Sequence, residues 1–392
     1  MLSTIRVLHM FHQYLNITEN WVFRLIDDLS NTDVVVASRE FKKCNFYSGK
    51  FKYLKFPLRK IEHNLESRLV RLFNQFVGRL ERYYPWYVSK TARKIDLMHS
   101  HFSFVGWEYR ELARKLKVPH IVSFYGFDYE NLPHIEPAWR ERYRTLFAEA
   151  DLFLCEGCHG TQLLEKMGCP AEKIAIARLG VAVEKIPFYE RKKEPGELRL
   201  LQVARLVEKK GHIYAVKAFL EALMECPNMS LTLVGSDPVG IKEELLKIIR
   251  GTMAEGKVVF IDRIDFDKLN AFMVDYQVFI HPSHYSKDMD SEGGAPVVLL
   301  DAQASGLPII STTHCDIPDE VVHGVTGLLC PERDISALAE AITRFYRMGP
   351  HEYENFAANA RKYIASNYDS RVLSNNLEKI YRKVIAENTG NQ

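Results

Sequence analysis

The feature that most constrains this chain is an alternation, run through twice, of short apolar stretches with longer amphipathic ones. In the first series the apolar stretches lie at residues 5–10, 33–38, 96–100, 120–125, 151–155 and 173–178. Between them, segments such as 20–29 and 105–116 repeat apolar residues at helical spacing. The second series has stretches at 198–204, 230–235, 257–262, 277–282, 307–311 and 326–330, with helical segments such as 213–224 and 334–347. Strands joined through helices form parallel sheets, because a parallel pair needs a long crossover. Two such series predict two doubly wound α/β domains, and 392 residues is too long for one compact core.

The boundaries follow from composition. Residues 186–197 are polar and proline-bounded, and read as a linker. The first Rossmann-like domain then covers 1–185 and the second 198–366. A closing helix, 367–392, is expected to pack back on the first domain. In open parallel sheets ligands bind beyond the carboxyl ends of the strands, where helix N-termini present free N–H groups. The cleft between the two domains is therefore the place to look. No G-x-G-x-x-G follows any of the strands, and no G-x-x-x-x-G-K-[ST] occurs, which argues against a dinucleotide dehydrogenase and a P-loop phosphotransferase.

Two segments after strands carry suitable chemistry. The stretch 198–204 leads into Arg205-Leu206-Val207-Glu208-Lys209-Lys210-Gly211. Arg205 and Lys210 at one turn suit a diphosphate, arginine as a fork and lysine as a point charge. Further on, residues 290–308 read as a glycine-rich loop, a helix with Pro296 in its first turn, a stop at Gly306 and another strand. Gly293 and Gly294 let backbone N–H groups approach an anion. Glu292 stands at the mouth of that loop, and Asp301 lies inside the helix, able to accept bonds from a vicinal diol.

Taken in order, the segment 205–211, Leu233-Val234-Gly235, Pro282-Ser283, residues 292–308 and Gly327-Leu328-Leu329 resemble the family 4 retaining glycosyltransferases. The resemblance covers nearly the whole chain and implies the two-domain GT-B architecture, a nucleotide-sugar donor and a retaining transfer. It implies that Glu292, Gly293 and Gly294 contact the donor sugar and diphosphate, that Asp301 holds the ribose hydroxyls, and that Arg205 and Lys210 hold the phosphates. Gly235 and Arg263 complete the donor-binding set. The family usually spaces its two acids by seven residues; here eight separate Glu292 from Asp301, so either Glu292 or Gly293 takes the first acidic position.

On the acceptor side, His99 and His101 end a strand, and the resemblance favours His101 as the catalytic histidine. Tyr125 stands where the family commonly has histidine, and Tyr125 or Asp128 is expected to supply polar contacts; Asp128 also suits a structural turn cap. Asn16 and Glu19 fit a helix capping box, while Thr18 and Glu19 are expected to face the acceptor or the diphosphate. The expected reaction moves a sugar to a saccharide or lipid-linked acceptor in cell-surface polysaccharide or glycolipid synthesis. A nucleotide-sugar 2-epimerase of similar fold and a catalytically inert membrane-surface scaffold are the alternatives.

Charge is unevenly spread. Residues 41–94 hold fourteen Lys/Arg and three Glu, a balance of +11 in a chain whose net charge is +2. Twelve aromatic residues share that stretch. It suits an anionic membrane surface or a lipid diphosphate, unless the rings belong to the core and the charges to water. No recognised nucleic-acid motif accompanies it, so nucleic acid is not expected as a partner. Cys155-Glu156-Gly157-Cys158-His159 spells a haem attachment site, and Asp288-Met289-Asp290 a metal-binding D-x-D. Neither is expected to act: the chain opens without an export signal, and cations with helix N-termini replace a metal in this architecture. No cofactor and no metal are expected. Seven cysteines, an odd and sparse count, suit a reducing cytoplasm, with attachment to the inner face of the membrane.

Overall fold

The computed structural model describes residues 3–15, 20–42, 49–55, 75, 83–92, 94–191 and 193–389. Seven strands make the first sheet: β1 (Ile5–Tyr14), β2 (Thr32–Phe41), β3 (Lys52–Lys55), β4 (Leu97–His101), β5 (His120–Ser123), β6 (Leu152–Cys155) and β7 (Ile174–Ile176). Their order is β3-β2-β1-β4-β5-β6-β7, with every pairing parallel. Six more, β8 (Leu198–Val203), β9 (Met229–Val234), β10 (Val258–Ile261), β11 (Val278–His281), β12 (Ile309–Thr312) and β13 (Gly327–Cys330), form a second parallel sheet. That order is β10-β9-β8-β11-β12-β13. Strand order reverses between β1 and β4 in one sheet and between β8 and β11 in the other, the places where such sheets open a crevice.

The strands are apolar on both faces because helices cover both. Val7, Phe11 and Leu97 enter one core cluster, whereas Leu8, Met10 and Met98 enter another on the opposite face. Strand β3 is the one that periodicity missed. Lys-Tyr-Leu-Lys has no apolar run; as an edge strand it buries only Leu54.

Two expectations about connections change. The helix placed around Pro296 begins later, at Val298, and runs to Ala304. The segment expected to be a free linker is tied to the second domain at Arg191 and Lys193. Arg191 donates to Ser305 O and Oγ, and Lys193 to Tyr346 O at 3.1 Å.

The last helix, Ser370–Thr389, leaves the second domain and crosses to the first. Its Leu377, Tyr381 and Val384 join Val7, Phe11 and Ile26 in one cluster. Glu378 accepts from Asn31 N at 2.7 Å and from Thr32 Oγ1 at 3.0 Å.

Candidate active site

The carboxyl ends of β8 and β11 bring the two segments singled out by sequence into contact. Lys210 Nζ lies 2.6 Å from Glu292 Oε2, and these side chains are 16% and 6% exposed. Ser283 Oγ donates to the other oxygen, Oε1, at 2.9 Å. The Glu292 amide donates to His314 Nε2 at 3.2 Å, and His314 Nδ1 meets Glu332 Oε1 at 2.7 Å. Since Nε2 accepts, Nδ1 is the donor, and Glu332 Oε1 accepts from it. Burial alone raises the pKa of the Glu292 carboxyl, but Lys210 and Lys209 outweigh it and hold the group well below the usual carboxylate range. Burial depresses the Lys210 ammonium in turn, against the pull of Glu292. Lys209, which sequence reasoning passed over, lies 3.0 Å from Asp290 Oδ1 and donates to Ser291 O at 2.7 Å. Asp290 of the D-x-D is thus an ion-pair partner, and Arg205 stays exposed within electrostatic range of Lys210.

The glycines of the loop serve the other domain. A side chain on Gly293 would put its Cβ 2.2 Å from Gly126 Cα, and one on Gly126 would meet Ser291 O and Glu292 O at 2.7 Å. Backbone from the first domain fills the space expected for an anion beside Gly293. Gly294 lies similarly against Glu156 Oε2. Desolvation, then the charges of Asp316 and Glu292, push the Glu156 carboxyl up to about 8. Glu156, Asp316, Asp319 and Glu320 line a small cavity between the domains together with Arg178.

Asp301 is also engaged across the cleft. Arg24, from the helix Asn20–Asp27, takes both of its oxygens, Nη2 to Oδ1 at 3.1 Å and Nη1 to Oδ2 at 3.3 Å. The guanidinium sits over the Phe266 ring, 4.7 Å from its centroid. Arg263 is 62% exposed and lies 3.4 Å from Asp265. Gly235 follows β9 and donates its N–H to Ile261 O.

These positions match a known family. Residues 18–185 match the family described as Glycosyltransferase Family 4, and 185–363 match Glycosyl transferases group 1. The amylovoran biosynthesis glycosyltransferase AmsK of Erwinia amylovora is 30% identical over 292 residues, 74% of this chain and 70% of AmsK. The chain belongs to the family 4 glycosyltransferases. The putative colanic acid biosynthesis glycosyltransferase WcaL of Escherichia coli K12 is 30% identical over 299 residues, 74% of this chain and 71% of WcaL. Salmonella typhimurium WcaL is 31% identical over 264 residues, which span 63% of that protein's length. Sucrose-phosphate synthase from Thermosynechococcus elongatus superposes with a TM-score of 0.73 at 17% identity, covering 98% of this chain and 100% of that one. Anabaena HepE, solved with UDP and glucose, gives 0.72 at 15%, covering 97% and 100%. The fold is the two-domain GT-B architecture.

For a glycosyltransferase of this family the first-domain assignments need correction. His101 is not open to the cleft. It is fully buried, with Nε2 3.0 Å from His9 Nδ1 and Nδ1 2.9 Å from Tyr125 Oη. Asp128 is a structural cap and does not face an acceptor. Its Oδ1 accepts from Ser103 N and Oγ, its Oδ2 from Tyr125 N, and burial pushes its carboxyl up to about 7. Thr18 and Glu19 lie outside the described residues. Tyr125 remains at the junction with the glycine-rich loop, because Gly126 beside it touches Gly293. Lys209, Glu156, His314 and Arg24 were not anticipated. Only Lys209 carried a sequence signal, its place beside Lys210.

Proposed function

We propose that this glycosyltransferase moves a sugar, with retention at the anomeric carbon, from a nucleotide-sugar donor to a saccharide or lipid-linked acceptor during synthesis of a cell-surface polysaccharide. The Lys210–Glu292 pair carries the reading. An ammonium beside an ionised carboxylate at the strand ends of the second domain suits a diphosphate and its sugar. The leaving nucleoside diphosphate draws on Lys210, Lys209 and Arg205, preorganised cations that need no rearrangement as charge develops. Glu292, held ionised, accepts from sugar hydroxyls and opposes the positive charge growing on the ring. Asp301 keeps two of its roughly four lone-pair directions while Arg24 holds the others, and these suit ribose hydroxyls. Retention follows when the departing phosphate takes the acceptor's proton on the face it leaves, so no protein nucleophile is assigned. Relatives named for colanic acid and amylovoran synthesis support the polysaccharide role, and the UDP in HepE supports a nucleotide donor.

The same reading places the enzyme in the cytoplasm, at the inner membrane face, with residues 41–94 toward anionic lipid. Of that stretch, Tyr83 and Trp86 are exposed, whereas Tyr84 is core and Phe41 and Tyr53 pack on Tyr14. Among the described residues no helix is long and apolar enough to cross a membrane. The test is nucleoside diphosphate release from UDP-glucose, UDP-galactose, UDP-N-acetylglucosamine and GDP-mannose, with and without polysaccharide-repeat acceptors. Transfer that persists in EDTA and keeps the donor's anomeric configuration is expected. An inverted product, or activity that needs added manganese, refutes it.

A further inference from the structure

Three histidines are fully buried together beneath the cleft. His9 on β1 pairs in register with His99 on β4, and His101 follows on the same face. One nitrogen from each lies within 4.8 Å of the others, a spacing that suits a metal. No carboxylate bonds to any of these rings among the described residues, so a divalent ion would bring uncompensated charge into the core. The hydrogen bonds give a different account, once each neutral ring is allowed its single proton.

His9 Nε2 is enclosed and has no partner. A bare lone pair there is tolerated better than an orphaned donor, so the His9 proton belongs on Nδ1. It is donated to His101 Nε2 at 3.0 Å, which leaves the His101 proton on Nδ1 for Tyr125 Oη at 2.9 Å. A second arm starts at Tyr381, on the last helix, whose buried hydroxyl meets His99 Nδ1 at 2.7 Å. If that hydroxyl only accepted, its own proton would have no acceptor, so it donates. The His99 proton is then on Nε2 and goes to Ser123 Oγ at 2.7 Å. The first arm therefore ends on Tyr125 Oη and the second on Ser123 Oγ.

We propose that His9 and His101 are positioning residues: a directed hydrogen-bond chain ends on Tyr125 Oη and leaves its O–H as the donor that the first domain offers to the substrate, while Tyr381 and His99 form a second chain to Ser123 that holds the His99 ring beside His101. The substrate part rests on the glycosyltransferase reading; the direction of the chains does not. Burial keeps all three imidazoles neutral well below their ordinary titration range, which the scheme requires. The His101 donor into Oη polarises the phenol and fixes its rotation. The sheet and the last helix supply every group, so none depends on domain closure.

The decisive measurement needs no ligand. Full-length protein labelled with 15N-histidine is examined at pH 7 by long-range imidazole correlation, with each ring assigned by its own His→Asn variant. His9 and His101 should show the Nδ1–H tautomer and His99 the Nε2–H tautomer. Any other tautomer, an imidazolium, or near-stoichiometric metal in the purified protein overturns the scheme. With the nucleotide sugar that turns over in the assay above, Tyr125→Phe should lower kcat by about 10²–10³-fold, as loss of a preorganised donor does. KM for that donor and affinity for UDP should stay within about twofold. His101→Asn, whose amide nitrogen replaces Nδ1, should retain more activity than His101→Leu. Equal loss in both, with UDP binding intact, makes His101 a packing residue and refutes the positioning role. If no nucleotide sugar turns over, the activity reading fails and the tautomers still judge the chains.

Discussion

Removing Arg24 should reveal the strength of the contact that ties the two domains across the cleft. Arg24→Met strips the guanidinium from Asp301 and keeps much of the aliphatic stem. The Arg24 side chain is 14% exposed and that of Asp301 4%, so the carboxylate would stay nearly dry and lose both of its close donors. Breaking a buried pair from one side costs about 3–5 kcal/mol, mostly the penalty of the stranded charge. Loss of the stack on Phe266 adds about 0.5–2 kcal/mol. Asp301→Leu alone strands the arginine in the same way, although Arg24 has a longer route to water. The double variant Arg24→Met/Asp301→Leu removes both charges, and its cost should be far below the sum of the singles. A cycle of four proteins, unfolded in guanidinium and followed by circular dichroism and tryptophan fluorescence, gives the coupling once the two probes coincide. A coupling of about 2 kcal/mol or more is expected, near the upper end for residues in contact. Single-variant costs under about 1 kcal/mol, with coupling near zero, would show that the pair is solvated in solution and would refute the reasoning.

The remaining expectations are brief. Lys210→Ala and Arg205→Ala should each lower turnover by about 10²–10³-fold while the fold survives, and near-normal turnover in both would place the diphosphate elsewhere. Glu292→Gln should impair transfer more than it impairs UDP binding, because a group that meets only the sugar adds nothing to the free nucleotide; equal losses would move Glu292 to the phosphates. Glu156 has its carboxyl raised from 4.5 to about 8, so the folded state holds an extra proton in that interval and its stability falls as pH rises through it. Glu156→Gln should match the parent's melting temperature near pH 5 and exceed it increasingly toward pH 9, and a constant difference would sink the assignment. Flotation with anionic vesicles should weaken in high salt and when Lys50, Lys52 and Lys55 are neutralised together; indifference to anionic lipid at low salt would reject the membrane surface.

The sequence disclosed the strands best where burial on both faces makes an unbroken apolar run, as in Val34-Val35-Val36 of β2 or Val278-Phe279-Ile280 of β11. It hid β3, because an edge strand with one buried residue has no run to show. Glu292 and Lys210 were legible because loop chemistry marks each locally, even though their contact is long-range. Arg24 was not legible, since its partner lies 277 residues away and nothing near either residue announces the pair. Asp128 misled for a related reason. A carboxylate beside a strand end has the same spelling whether it faces a substrate or caps Ser103, and only its enclosure tells them apart.

The last helix makes the first domain discontinuous in the order of synthesis. Leu377, Tyr381 and Val384 fill a cluster otherwise built mostly from residues before Leu179. On the ribosome, the first sheet emerges and must wait, with one apolar face uncovered, while the whole second domain is made. A Tyr381→stop truncation would leave that face open in the finished protein, so it should be retained by chaperones or aggregate although both parallel sheets are encoded in full. Any attempt to express residues 1–185 as a separate unit meets the same uncovered surface, and supplying residues 370–389 in trans is the way to close it.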